Sequence, residues 1–156
     1  MNRLNPYLFL MAFMFSFVFA ACGSDDDDNG EDPVDNENPV ISITSPGEDE
    51  TFNRAIDAFV VTGELTDNVA LDTCFFSLTT DLKSSSSLKS IDDPQVWQPN
   101  PKGFELSGKS HSFSGEEVFG PIPDDAMEGT YTLNIEVIDA AGNSATESIS
   151  FLIQAE

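Results

Sequence analysis

Between residues 39 and 154, apolar side chains recur at every second position in short runs separated by turn residues. A period of two is that of a strand with one buried face. The clearest run is "YTLNIEVID", where Tyr131, Leu133, Ile135 and Val137 alternate with Thr132, Asn134 and Glu136. "DAAGN" follows, and then "SATESISFLI" puts Ile149, Phe151 and Ile153 in one phase. Asp139 and Asn143 bracket a Gly-containing turn, so the two runs predict a hairpin. Upstream, "PVISITSP" aligns Ile41 with Ile43, and "DAFVVTGELTD" aligns Phe59, Val61 and Leu65 with Gly63. "LDTCFFSLTT" sets Cys74, Phe76 and Leu78 inward. In "HSFSGEEVF" the apolar positions Phe113 and Val118-Phe119 fall out of phase, which predicts a bulge near Gly115. The Ser-, Pro- and Lys-rich stretch "DLKSSSSLKSIDDPQVWQPNPKG" reads as an inserted loop with short edge strands around 95–98 and 104–106. The sequence carries no helical period of useful length, no internal repeat and no second domain.

The N-terminus follows another pattern. Arg3 precedes an apolar run over residues 7–21, broken clearly only by Ser16. Fifteen residues are fewer than the roughly 20 that span a bilayer as a helix. A cation, an apolar core and small residues before a break describe a secretory signal peptide. Phe19-Ala20-Ala21-Cys22 resembles a bacterial lipobox, with Phe19 in place of the more usual Leu. That resemblance implies cleavage before Cys22 and acylation of its thiol. Ser24, Asp25, Asp26, Asp27 and Asp28 follow. They resemble the surface-export signal of Bacteroidetes lipoproteins, which implies the outer face of the outer membrane. "GEDPVDNEN" adds four acids and little to bury, so residues 22–38 are expected to form a disordered acidic tether. A flexible chain of that length typically spans ~23 Å.

Charge narrows the partners. The chain holds 28 acids and 6 bases, a net charge of −22. Such a surface repels nucleic-acid phosphates and anionic headgroups, which excludes nucleic-acid binding and leaves the N-terminal lipid as the membrane contact. Cationic partners and divalent cations remain compatible.

Short strands with turns between them predict an all-β fold, an immunoglobulin-like antiparallel β-sandwich of about seven strands over 39–156. A signal peptide (1–21) and the tether (22–38) precede it. Tyr131, at the start of the penultimate strand, fits the position where a tyrosine hydroxyl ties down the preceding loop. Trp97, Leu106-Ser107-Gly108-Lys109, Ile122-Pro123, Gly129, Tyr131 and the stretch Asp139 to Asn143 resemble an uncharacterised Ig-like domain family of Bacteroidetes surface lipoproteins. Asp67-Asn68 and Leu71 match an earlier turn of that family.

Candidate chemistry is sparse. No Ser/His/Asp set, phosphate-cradling Gly loop or histidine cluster can be assembled, so no catalytic residue is assigned and the chain is expected not to be an enzyme. With Cys22 assigned to lipid, Cys74 has no disulfide partner and reads as a small buried hydrophobe. His111 lacks the companions a zinc site needs. Asp67, Asn68, Asp72, Asp139 and Asn143 sit in loops that an Ig sandwich brings to one end, where hard oxygens suit calcium. The same side chains also serve turns through their own backbone hydrogen bonds. Trp97, on a Pro-flanked insertion, is a candidate contact for a sugar or protein partner, or else a cover over the core. The leading expectation is a surface-tethered, non-catalytic module that binds or displays an unknown extracellular protein or glycan. Its alternatives are an accessory glycan-binding lipoprotein of a nutrient-uptake system and a calcium-stabilised adhesion domain.

Overall fold

The structure is a computed structural model that describes residues 34–83 and 93–155. The expected signal peptide, Cys22, Ser24, the four aspartates after it and the Ser-rich part of the insertion lie outside the described residues. One compact unit spans Val34–Glu156.

Eight strands follow one another, with no helix among the described residues. They are β1 (Val40–Ser45), β2 (Glu50–Asn53), β3 (Val61–Thr66), β4 (Leu71–Thr79), β5 (Lys102–Glu105), β6 (Ser110–Glu116), β7 (Gly129–Asp139) and β8 (Ser144–Gln154). Two sheets form, β1-β3-β6 and β2-β8-β7-β4-β5. This is the immunoglobulin-like β-sandwich that the alternation predicts, with two differences. Strand β2 was not expected, and it pairs in parallel with β8, Phe52 opposite Ile153. The larger sheet is therefore mixed rather than antiparallel. At 95–98 there is no edge strand, only a parallel bridge between Gln95 and Ala126.

The inward phases are those of the sequence. Phe59, Val61, Leu65, Cys74, Phe76, Tyr131, Leu133, Val137 and Ile153 are inaccessible to solvent. Gly115 forms the predicted bulge: Val61 faces Glu116 and Thr62 faces Ser114, which leaves Gly115 unpaired at φ +71°. The β7–β8 hairpin pairs Ile138 with Ser144, as its turn residues imply.

Strand directions define two ends. Val40 pairs with Thr66, and Leu71 pairs with Asp139, so the entry of the chain, the β3–β4 loop and the β7–β8 turn share one end, the base. Strand β2 and the C-terminus of β8 lie at the far end.

Trp97 closes the far end, and here the ligand-contact expectation is corrected. It is 6% exposed, with its ring 5.5 Å from Phe59 and 6.3 Å from Phe119, both edge-on. Its backbone N–H donates to the Tyr131 hydroxyl at 3.3 Å, and that hydroxyl donates to the Met127 carbonyl at 2.8 Å. The insertion is fastened beside it by Gln95 N–H to Asp125 O and Met127 N–H to Gln95 O, both 2.7 Å. Trp97 offers no face to a ligand because its indole completes the core beneath its own loop.

Candidate metal centre

Three carboxylates meet at the base. Asp35, Asp67 and Asp139 each offer an oxygen, and the three oxygens lie within 4.8 Å of one another. They come from the entering chain, the β3–β4 loop and the end of β7.

Each arrives for a local reason. Asp67 follows the last residue of β3, and its N–H donates to Lys109 O at 2.9 Å. Its Oδ1 accepts the N–H groups of Val69 (2.9 Å) and Ala70 (2.6 Å), the Asx pattern that turns the chain into β4. Asp139 closes the hairpin. Its Oδ1 accepts Ala141 N–H and Asn143 N–H, and its Oδ2 accepts the Asn143 amide, all at 2.8 Å. Asp35 is held from both sides. Its Oδ1 accepts Asn68 Nδ2 at 3.0 Å and Glu37 N–H at 3.1 Å, and its carbonyl accepts Asn143 Nδ2 at 3.2 Å.

The electrostatics are one-sided. Asp67 is 8% exposed and Asp139 is 2% exposed. Desolvation pushes the Asp139 carboxyl up, but the Asn143 amide and the N–H groups of Asn143, Ala141 and Gly142 outweigh it and hold it below the ordinary carboxylate range. Asp139 is thus kept ionised. Oδ2 of Asp67 and Oδ2 of Asp35 are shut off from solvent and accept no hydrogen bond. Burying such an oxygen without a partner costs about 1–3 kcal/mol, and more when it is charged. Among the described residues the one ion pair is Arg54–Glu128, which does not touch these acids. Lys109, the nearby cation, spends its ammonium on the Asn68 carbonyl at 2.7 Å.

The sequence-predicted set is partly assembled. Asp67 and Asp139 enter the cluster. Asn68 and Asn143 reach it as amide donors that orient acids, so they are supports rather than ligands. Asp72 stays exposed and accepts the Thr73 hydroxyl at 3.2 Å. Asp35 was missed, because its acidic surroundings read as free tether. The available signal was topological: the first strand starts at the hairpin-turn end, so residues just before it must pass the two loops.

Two other groups are accounted for by packing. Burial pushes the Cys74 thiol up to about 12, so it is no nucleophile at neutral pH. The His111 ring lies edge-on against Phe113 at 4.7 Å.

A comparison with curated proteins finds no match. Residues 20–154 do match a family described as a domain of unknown function, DUF4625. The match runs from just before Cys22 to the last residue of β8 and so takes in the base, the far end and every strand. This chain belongs to the DUF4625 family.

Proposed function

We propose that the protein is a lipid-anchored, non-catalytic Ig-like module, moored through Cys22 and carried on the outer face of a bacterial outer membrane. The observation that carries this reading is the stretch Phe19-Ala20-Ala21-Cys22 with Ser24 and four aspartates after it, joined to a β-sandwich that the chain enters at its base. Twelve residue steps along the chain separate Cys22 from Val34. A mooring at Cys22 would hold the domain through its base, the end at which the chain enters the sandwich. Two or three acyl chains on one cysteine would make the attachment nearly permanent.

The test has two arms. Metabolic labelling with palmitate should mark the wild-type chain and leave Cys22→Ser unlabelled. Protease applied to intact cells should remove the domain. Equal labelling of the variant sinks the anchor, and complete protection without membrane rupture sinks the surface location.

A second reading, glycan binding, is favoured by a different residue from the one the sequence offered. Phe75 is 42% exposed on the outer face of the larger sheet, where Ser77, Asn134, Glu136, Thr146 and Ser148 surround a shallow depression. An aromatic ring among hydroxyl and amide groups can stack on a sugar while neighbours bind its hydroxyls. Phe75 also packs over Gly103, its cross-strand partner, so its position has a structural use as well. A glycan array should give hits that Phe75→Ala abolishes. Silence across plant, host and microbial glycans ends this reading.

A further inference from the structure

We propose that Asp35, Asp67 and Asp139 bind one calcium ion, and that this ion fastens the N-terminal tether to the base of the sandwich. The three acids alone would be an acidic cluster like many others. The decisive observation is Asp67: more than nine-tenths buried, its Oδ1 is taken by the loop, and its Oδ2 is left desolvated and without a hydrogen-bond donor. Asp35 repeats the arrangement, with Oδ1 held by Asn68 and Glu37 and Oδ2 orphaned. In each residue the protein has satisfied one oxygen and left the other for something it does not itself supply.

The ligand chemistry selects a hard divalent cation. All donors are oxygens, with no histidine or thiol grouped with them among the described residues, which disfavours zinc and copper. Calcium takes oxygens at 2.3–2.6 Å, so two oxygens on one ion are at most about 5 Å apart. The three oxygens, mutually within 4.8 Å, fit inside that span. Three carboxylates leave room for water, which calcium's variable coordination of six to eight tolerates and magnesium's strict octahedron accommodates less readily. Asn68 and Asn143 complete the arrangement by fixing Asp35 and Asp139 from outside, the usual task of groups around a metal's ligands.

The tether follows from chain order. Asp67 and Asp139 belong to the sandwich, but Asp35 lies five residues before β1. An ion that needs all three therefore draws the entering chain onto the base. Without it, like charges push that segment away from the base.

The experiment uses the full chain purified in detergent with calcium chloride as the sole added ligand. Calorimetry should give one site per chain. Saturating calcium should raise the melting temperature by about 5–10 °C, and EGTA should reverse the rise. Asp35→Asn and Asp67→Asn should each weaken binding by at least about tenfold. Asp124→Asn, at the far end, should leave it unchanged. A Glu-specific serine protease should cut after Glu37 more slowly in calcium than in EGTA. If Asp67→Asn fails to fold, Asp35→Asn still decides, because Asp35 lies outside every strand. No calcium-dependent shift in melting overturns the site. A shift that survives Asp35→Asn, or equal cutting after Glu37 with and without calcium, overturns the fastening of the tether.

Discussion

At the scale of single residues, the far end depends on one hydroxyl. Tyr131 accepts the Trp97 N–H and donates to Met127 O while its ring stacks on Phe151 at 5.9 Å. Burial pushes its phenol above the ordinary tyrosine range, opposed by the bond from Trp97, so it stays protonated and able to donate at any ordinary pH. Tyr131→Phe keeps the ring but strips partners from two backbone groups. The expected loss is about 1–3 kcal/mol in urea unfolding, with the slope unchanged. Cys74 makes a second residue-scale prediction. A thiol held near 12 has almost no thiolate at pH 8, so iodoacetamide should leave Cys74 unmodified in the native protein and modify it promptly in urea. Labelling of the native fold at the unfolded rate would contradict the burial. The tyrosine's role was legible in the sequence because its place before an alternating strand has few uses. The role of Trp97 was not, because a Pro-flanked indole reads alike whether its loop stands open or folds back over the core.

At the scale of elements, legibility followed the length of the alternation. The β7 and β8 runs carry enough inward apolar positions to fix phase, partner and turn together. Strand β2 carries one, Phe52, in four residues, and its partner β8 lies about a hundred positions away. Nothing local announces such a strand. It exists because the parallel ladder to β8 and the bond from Gly47 N–H to the Glu50 carboxylate at 2.6 Å hold it in place. The glycines of the smaller sheet show two other element-scale constraints. A Cβ on Gly63 would lie 2.5 Å from Ser42 O and 2.8 Å from Ile43 Cα, so β1 would have to move. A Cβ on Gly115 would meet nothing within 4 Å and would bear only the strain of φ +71°. Gly63→Ala should therefore cost several kcal/mol or prevent folding, and Gly115→Ala about 1–2 kcal/mol. Thermal melts of the two variants side by side check the order. The periodicity showed Gly63 in an inward phase, but not that a neighbouring backbone needs the missing side chain.

At the scale of the whole molecule, a net charge of −22 acts everywhere, and the cluster at the base acts in one place. The two separate by their response to ions. General repulsion is relieved by any salt as the Debye length shortens, from about 10 Å at 0.1 M to about 3 Å at 1 M. Sodium chloride should therefore raise the melting temperature gradually, without saturation and with no dependence on Asp67. Calcium at a site saturates, because its stabilisation grows only as the logarithm of concentration over the dissociation constant once the site is filled. It should act at concentrations too low to change the Debye length. At matched ionic strength, magnesium should recover less of the effect, since it gives up its water reluctantly and demands a regular octahedron. If calcium, magnesium and sodium stabilise equally at equal ionic strength, the acids at the base are part of the general field. If calcium alone acts at low concentration and Asp67→Asn removes only that component, then a fold that repels itself over its whole surface is drawn together at one point. That point is where the chain enters the domain, so the ion that stabilises the sandwich would also hold the segment before β1 against its base.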